Sequence, residues 1–132
     1  MGIEEFLNKK NKIAVVGVSS DYRKTGYKFY TKLKSKGYDV YAINPKNEPI
    51  NGDMSYKELK DLPEKPGVVV TTVRPEITEK IVKECIDLGI NKIWMQPGSE
   101  SYEAVKLCKE NNIEVMYHVC FFLNGLGERL LS

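Results

Sequence analysis

The residues best suited to chemistry stand at the close of the first apolar run, in VVGVSSDYRKTGYK (15–28). Gly17 ends the run, Ser19 and Ser20 follow, then Arg23, Lys24, Thr25 and Gly26. Two hydroxyls, two cations and two glycines at a strand-to-helix turn are what an anion needs. A helix starting near Thr25-Gly26 would turn its free amides and partial positive charge toward the same place. Arg23 and Lys24 add full charge, and Gly26 would let a ligand approach the backbone. The dinucleotide fingerprint G-x-G-x-x-G is absent, because Ser19 stands in the place of the second glycine. The plainer reading is an ordinary turn with solvated cations, but glycine, helix start and cations coincide here, and phosphate binding is expected.

The second strand end argues against NAD. An Asp or Glu there would hold the ribose hydroxyls, whereas this sequence has Asn44, Pro45 and Lys46. A lysine suits a phosphate on the ribose, as in NADP or the 3′-phosphate of coenzyme A. Further candidate residues fall at later strand ends: Val73, Arg74 and Pro75 after the third, Gln96 and Gly98 after the fourth, His118 and Cys120 after the fifth.

Five β-branched runs alternate with helical patterns to place these residues. Strands are predicted at 12–18, 38–44, 67–73, 91–96 and 113–119, and helices at 25–37, 55–62, 75–89 and 99–112. The short helix at 55–62 takes Ser55 as its cap, with Glu58 in the capping-box position. Residues 2–9 and 120–131 would add terminal helices. Val- and Ile-rich strands separated by helices predict a parallel sheet covered on both faces. The expected fold is a Rossmann-like, doubly wound, five-stranded α/β sheet of order 3-2-1-4-5, in one domain spanning 1–132. Ligands of such sheets bind beyond the carboxyl ends of the strands, in the crevice between the first and fourth.

Composition removes other classes. The chain has 132 residues, a net charge of +2 and 29% charged residues. That balance gives no reason to expect a nucleic-acid partner, and no apolar run suits a membrane span. The start MGIEEFLNKKNK has no secretory pattern, so a cytoplasmic location is expected. Three widely spaced cysteines, Cys85, Cys108 and Cys120, form neither a disulfide framework nor a zinc motif, and the single His118 builds no multi-histidine metal site. Cys85 and Cys108 fall on apolar helical faces and read as packing residues. Cys120 at a strand end is different, since its thiol could face the thiol of a bound CoA; a buried packing cysteine is the plainer alternative.

Five pieces taken together carry a family resemblance: AVVGVSSDYRKTGY, GYDVYAINPK, VVVTTVRPE, IWMQPGSES and the cysteine after the last strand. From about residue 10 to 123 the chain resembles the small stand-alone CoA-binding proteins, which are similar to the nucleotide-binding domain of the succinyl-CoA synthetase alpha chain. The resemblance implies coenzyme A as ligand. Its adenosine diphosphate part would lie over Ser19, Ser20, Arg23 and Lys24. Asn44, Pro45 and Lys46 would flank the adenine and ribose phosphate, Val73, Arg74 and Pro75 would wall the other side, and Gln96 and Gly98 would line the pantetheine path. The family often has an acidic and a basic residue before the cysteine, where this chain has His118 and Val119. The synthetases use a phosphorylated histidine in a later domain, and His118 is placed differently. With no carboxylate pair or serine–histidine pairing legible, non-catalytic binding of CoA or acyl-CoA is expected. The rival reading is an NADP-using oxidoreductase or redox sensor on the same fold.

Overall fold

The apolar runs become strands buried on both faces, which is why they lack polar alternation. In β1 (Lys12–Val16), Ile13, Ala14, Val15 and Val16 are all buried, so odd and even positions both face packed layers. The computed structural model describes residues 2–128. Beyond β1, the strands are β2 (Asp39–Ile43), β3 (Ser55–Tyr56), β4 (Val68–Thr71), β5 (Lys92–Met95) and β6 (Glu114–Met116). They form one sheet of order β3-β2-β1-β4-β5-β6, and every pairing is parallel. The helices are α1 (Ile3–Leu7), α2 (Thr25–Ser35), α3 (Pro75–Leu88) and α4 (Tyr102–Glu110). The result is the expected Rossmann-like doubly wound sheet. It has six strands instead of five, and the order 3-2-1-4-5 continues to a sixth.

One element is corrected. The helix predicted at 55–62 does not form. Ser55 and Tyr56 pair instead with Ala42 and Ile43 as a third strand in chain order, at the edge of the sheet. The strand predicted at 67–73 thus stands fourth, directly beside β1. The outer edge of β2 presents unpaired backbone groups, and extension of Ser55–Tyr56 satisfies them: Asn44 N–H donates to the Tyr56 carbonyl at 2.8 Å. A single 3₁₀ turn, Leu59–Asp61, follows, and its capping box joins Glu58 to Asp61, without Ser55. Other limits shift less. α4 starts at Tyr102, where the Ser101 side chain accepts from Ala104 N–H at 3.0 Å. β6 stops at Met116, and His118 then takes φ 62 and turns the chain away. Of the predicted terminal helix at 120–131, Phe121–Leu126 form one π-helical turn, and positions from 129 lie outside the described residues.

Two apolar layers flank the sheet. On one side Ala14, Val16, Val69, Ile93 and Met95 pack under α3 and α4 with Ile81, Val82, Cys85 and Cys108. On the other, Val15, Val70 and Trp94 meet Phe29 and Leu33 of α2 and the aromatic pair Phe121 and Phe122. Trp94 and Phe121 stack edge-on at 5.0 Å, and the Trp94 indole N–H donates to the Val119 carbonyl at 2.9 Å. These contacts draw the last turn over β5 and set Cys120 at its carboxyl end. Among the described residues no helix is long and apolar enough to cross a membrane.

Candidate functional site

The site begins where β1 meets α2. Gly17 takes φ 103, in the left-handed region. A Cβ there would lie 2.6 Å from Val73 Cγ1 and 2.7 Å from Thr72 Oγ1. Gly26 is buried, and a Cβ on it would lie 2.1 Å from the Gly17 carbonyl oxygen. The close approach that Gly26 permits is therefore of helix to strand. It seats the start of α2 directly on the end of β1. Lys24 is the N-cap residue and makes no side-chain cap, and the first turn of α2 has no acid. Its leading amides therefore have no capping side chain. Lys24 and Thr25 are exposed beside them.

The loop between is fixed by its own side chains. Ser19 Oγ accepts from Asp21 N–H at 3.0 Å. Asp21 grips the Arg23 guanidinium at 3.0 Å through both carboxylate oxygens. Sequence reasoning counted Arg23 as a free cation and overlooked Asp21, although an Asp two residues before an Arg in a turn was a visible signal. The Arg23 hydrogen bonds hold the Asp21 carboxyl down at about 2, against an ordinary 3.8. Because the folded value is the lower one, this pairing supports the loop fully above 3.8 and is lost as pH falls through about 2. A carboxyl-detected NMR titration should therefore find Asp21 titrating near pH 2, and Arg23→Ala should return it toward 3.8.

Asn44 is buried and ties the second strand end to the first: its Nδ2 donates to the Val18 carbonyl and its Oδ1 accepts from Lys46 N–H, both at 2.7 Å. Glu48, also missed from sequence, accepts from Ser20 Oγ at 2.8 Å and from Asn44 Nδ2 at 3.5 Å. The Ser20 hydroxyl lowers the Glu48 pKa. A carboxylate thus does stand near the end of β2, four residues later than the usual position. Pro45 and Lys46 are exposed on this anchored turn.

Gly17, Pro45 and Val73 come together in one cleft of about 510 Å³. Val16, Ile43, Ile77 and Ile81 contribute its apolar lining, with Lys57, Lys60, Lys80 and Lys83 and the carboxylates of Glu58, Glu84 and Asp87 also around it. The cleft lies on the α3 side of the switch point between β1 and β4. Arg74 caps α3 from an exposed position, with Pro75 as the first helical residue. Gln96 is only 6% exposed, and its side chain is already engaged. Its Oε1 accepts from Phe121 N–H at 2.7 Å and its Nε2 donates to Cys120 Sγ at 3.4 Å. Gly98, at φ 94, donates its N–H to Glu100 Oε1 at 3.0 Å.

The three thiols differ. Cys85 and Cys108 are buried; burial pushes the Cys85 thiol far up and the Cys108 thiol up to about 12. Cys120 is half-buried. Brief iodoacetamide treatment of the native protein should add one carbamidomethyl group, mapping to Cys120, by intact mass and peptide analysis. Labelling at Cys85 or Cys108 first would contradict the burial pattern.

A doubly wound parallel sheet whose first strand delivers an uncapped helix start to the switch point defines the Rossmann-like class. Residues 11–125 match the family model described as CoA binding domain, and the chain belongs to that family. It is 29% identical over 92 residues to the acetate–CoA ligase [ADP-forming] II subunit alpha of Pyrococcus furiosus, which covers 69% of this chain and 20% of that one. The chain therefore spans about a fifth of that ligase subunit. It is 25% identical over 118 residues to an uncharacterized protein of Bacillus subtilis, covering 89% of this chain and 87% of the other. A hypothetical protein from Pyrococcus horikoshii OT3 superposes with a TM-score of 0.85 at 31% identity, over 98% of this chain and 90% of that one.

Proposed function

We propose that this protein binds CoA or acyl-CoA at the carboxyl ends of its strands and is not itself a catalyst. The observation that carries this reading is the Gly17–Gly26 contact, which seats the uncapped start of α2 against Gly17, itself part of the lining of the cleft. Ser19, Ser20, Arg23, Lys24 and Thr25 surround the pyrophosphate. The adenine lies in the cleft against Gly17, Pro45 and Val73, flanked by Asn44, and Lys46 faces the ribose phosphate. Arg74 and Pro75 wall the far side, and the pantetheine arm passes Gln96 and Gly98 toward β6. Membership of the CoA binding domain family supports CoA over other nucleotides. The non-catalytic role is supported by how the site's polar groups are used: Asp21, Asn44, Glu48 and Gln96 hold loops in place. Titration calorimetry against CoA, NAD and NADP tests the assignment. CoA should bind most tightly, and equal or tighter binding of NADP would overturn it.

A further inference from the structure

One cleft on the described residues plays no part in the site so far. It has a volume of about 750 Å³ and runs along α4 to the turn after β6. Tyr102 and Val105 line it from the helix, and Tyr117 and His118 from the turn. We propose that this groove receives the acyl part of an acyl thioester, and that the acyl group is uncharged and aromatic. The inference rests on the CoA reading above and adds a substrate class to it.

Continuity is the first argument. The groove includes Glu100, whose carboxylate accepts the Gly98 N–H at the end of β5. It also includes His118, two residues before Cys120, whose thiol contacts Gln96. A pantetheine arm that crosses the ends of β4 and β5 therefore delivers its sulfur to the mouth of this groove.

Chemistry is the second. Lys106 and Lys109 are matched by Glu100 and Glu110, so the charges cancel and select neither an acidic nor a basic acyl group. Lys109 is further engaged over the Tyr117 ring, 5.7 Å from its centroid. The lining that remains is Ser101, whose hydroxyl is already given to Glu79, with Tyr102, Val105, Tyr117 and His118. Tyr117 and His118 meet edge-on at 5.0 Å, and Tyr102 is 78% exposed, a ring left open to a partner. Aromatic pairs favour offset or edge-on contact, and a ring supplied by the ligand can join this set. The volume lies within the range of about 300–1,000 Å³ typical of small-molecule sites, much more than an acetyl group fills.

CoA, acetyl-CoA and benzoyl-CoA serve as probes in titration calorimetry. Benzoyl-CoA should bind about tenfold tighter than CoA, with acetyl-CoA close to CoA. Tyr102→Ala, a change at an exposed position that should leave folding intact, should bring benzoyl-CoA back to the CoA level without altering CoA binding. Tyr117→Ala should act in the same way. Equal dissociation constants for the three probes would overturn the acyl site while leaving the CoA reading standing. A benzoyl preference that survives both substitutions would also overturn it. Failure of all three probes to bind would remove both readings.

Discussion

Gly26→Ala is expected to lower the thermal unfolding midpoint by about 10 °C, read by circular dichroism or calorimetry. In an exposed helix the same substitution would stabilise, since alanine exceeds glycine by about 1 kcal/mol in helix propensity. Here the added methyl would lie 2.1 Å from the Gly17 carbonyl oxygen and 2.9 Å from its carbon. Backbone cannot rotate aside as a side chain does. β1 is also hydrogen-bonded to β2 on one edge and β4 on the other, so it cannot retreat without breaking a ladder. Overpacking of a core costs about 1–3 kcal/mol, and the absence of an escape route puts this case at the upper end. Gly52→Ala is the control. Nothing lies near its Cβ position, and its φ of 85 leaves only the left-handed backbone penalty, about 1–2 kcal/mol. A Gly26→Ala protein as stable as the parent would refute the packing account.

Lys46→Ala is expected to weaken CoA binding by about ten- to a hundredfold while leaving dephospho-CoA nearly unchanged. A charge-assisted hydrogen bond contributes about 1.5–3 kcal/mol, which corresponds to that range. The structure gives Lys46 a firm base: its N–H is held by Asn44 Oδ1 at 2.7 Å, and Asn44 is itself fastened to Val18. Its side chain is exposed on that turn, at the carboxyl end of β2. If the substitution weakens the two ligands equally, Lys46 does not read the 3′-phosphate. Raising the salt concentration should weaken CoA binding in the parent more than in the variant.

The elements that were legible in the sequence are those whose burial leaves a long periodic trace. IAVV of β1 and VVV of β4 are apolar at every position because both faces are covered, and α3 begins with Pro75 and ends at Gly89 in the left-handed conformation. β3 left no such trace. Two residues have no period, and the segment is extended because β2 offers an edge to pair with, a tertiary cause. At the site, Gly17 and Gly26 stood out by type, but the reason for Gly26 did not: its partner is a carbonyl on the preceding strand. Ser20 with Glu48 and Gln96 with Phe121 are hydrogen-bonded across 28 and 25 positions of chain, a pairing no local pattern records. The groove beside α4 was equally invisible, because Tyr102 and Val105 stand on a helix and Tyr117 and His118 on a later turn that only the fold brings beside it.

The unequal burial of the three thiols has a practical consequence. With two sulfurs sealed between α3, α4 and the sheet, the unaltered chain offers a single attachment point for a maleimide dye. That point lies at the end of β5, with the Gln96 amide against it. A fluorophore placed there would report arrival of a ligand at the strand ends as a change in emission, with no residue engineered in or out.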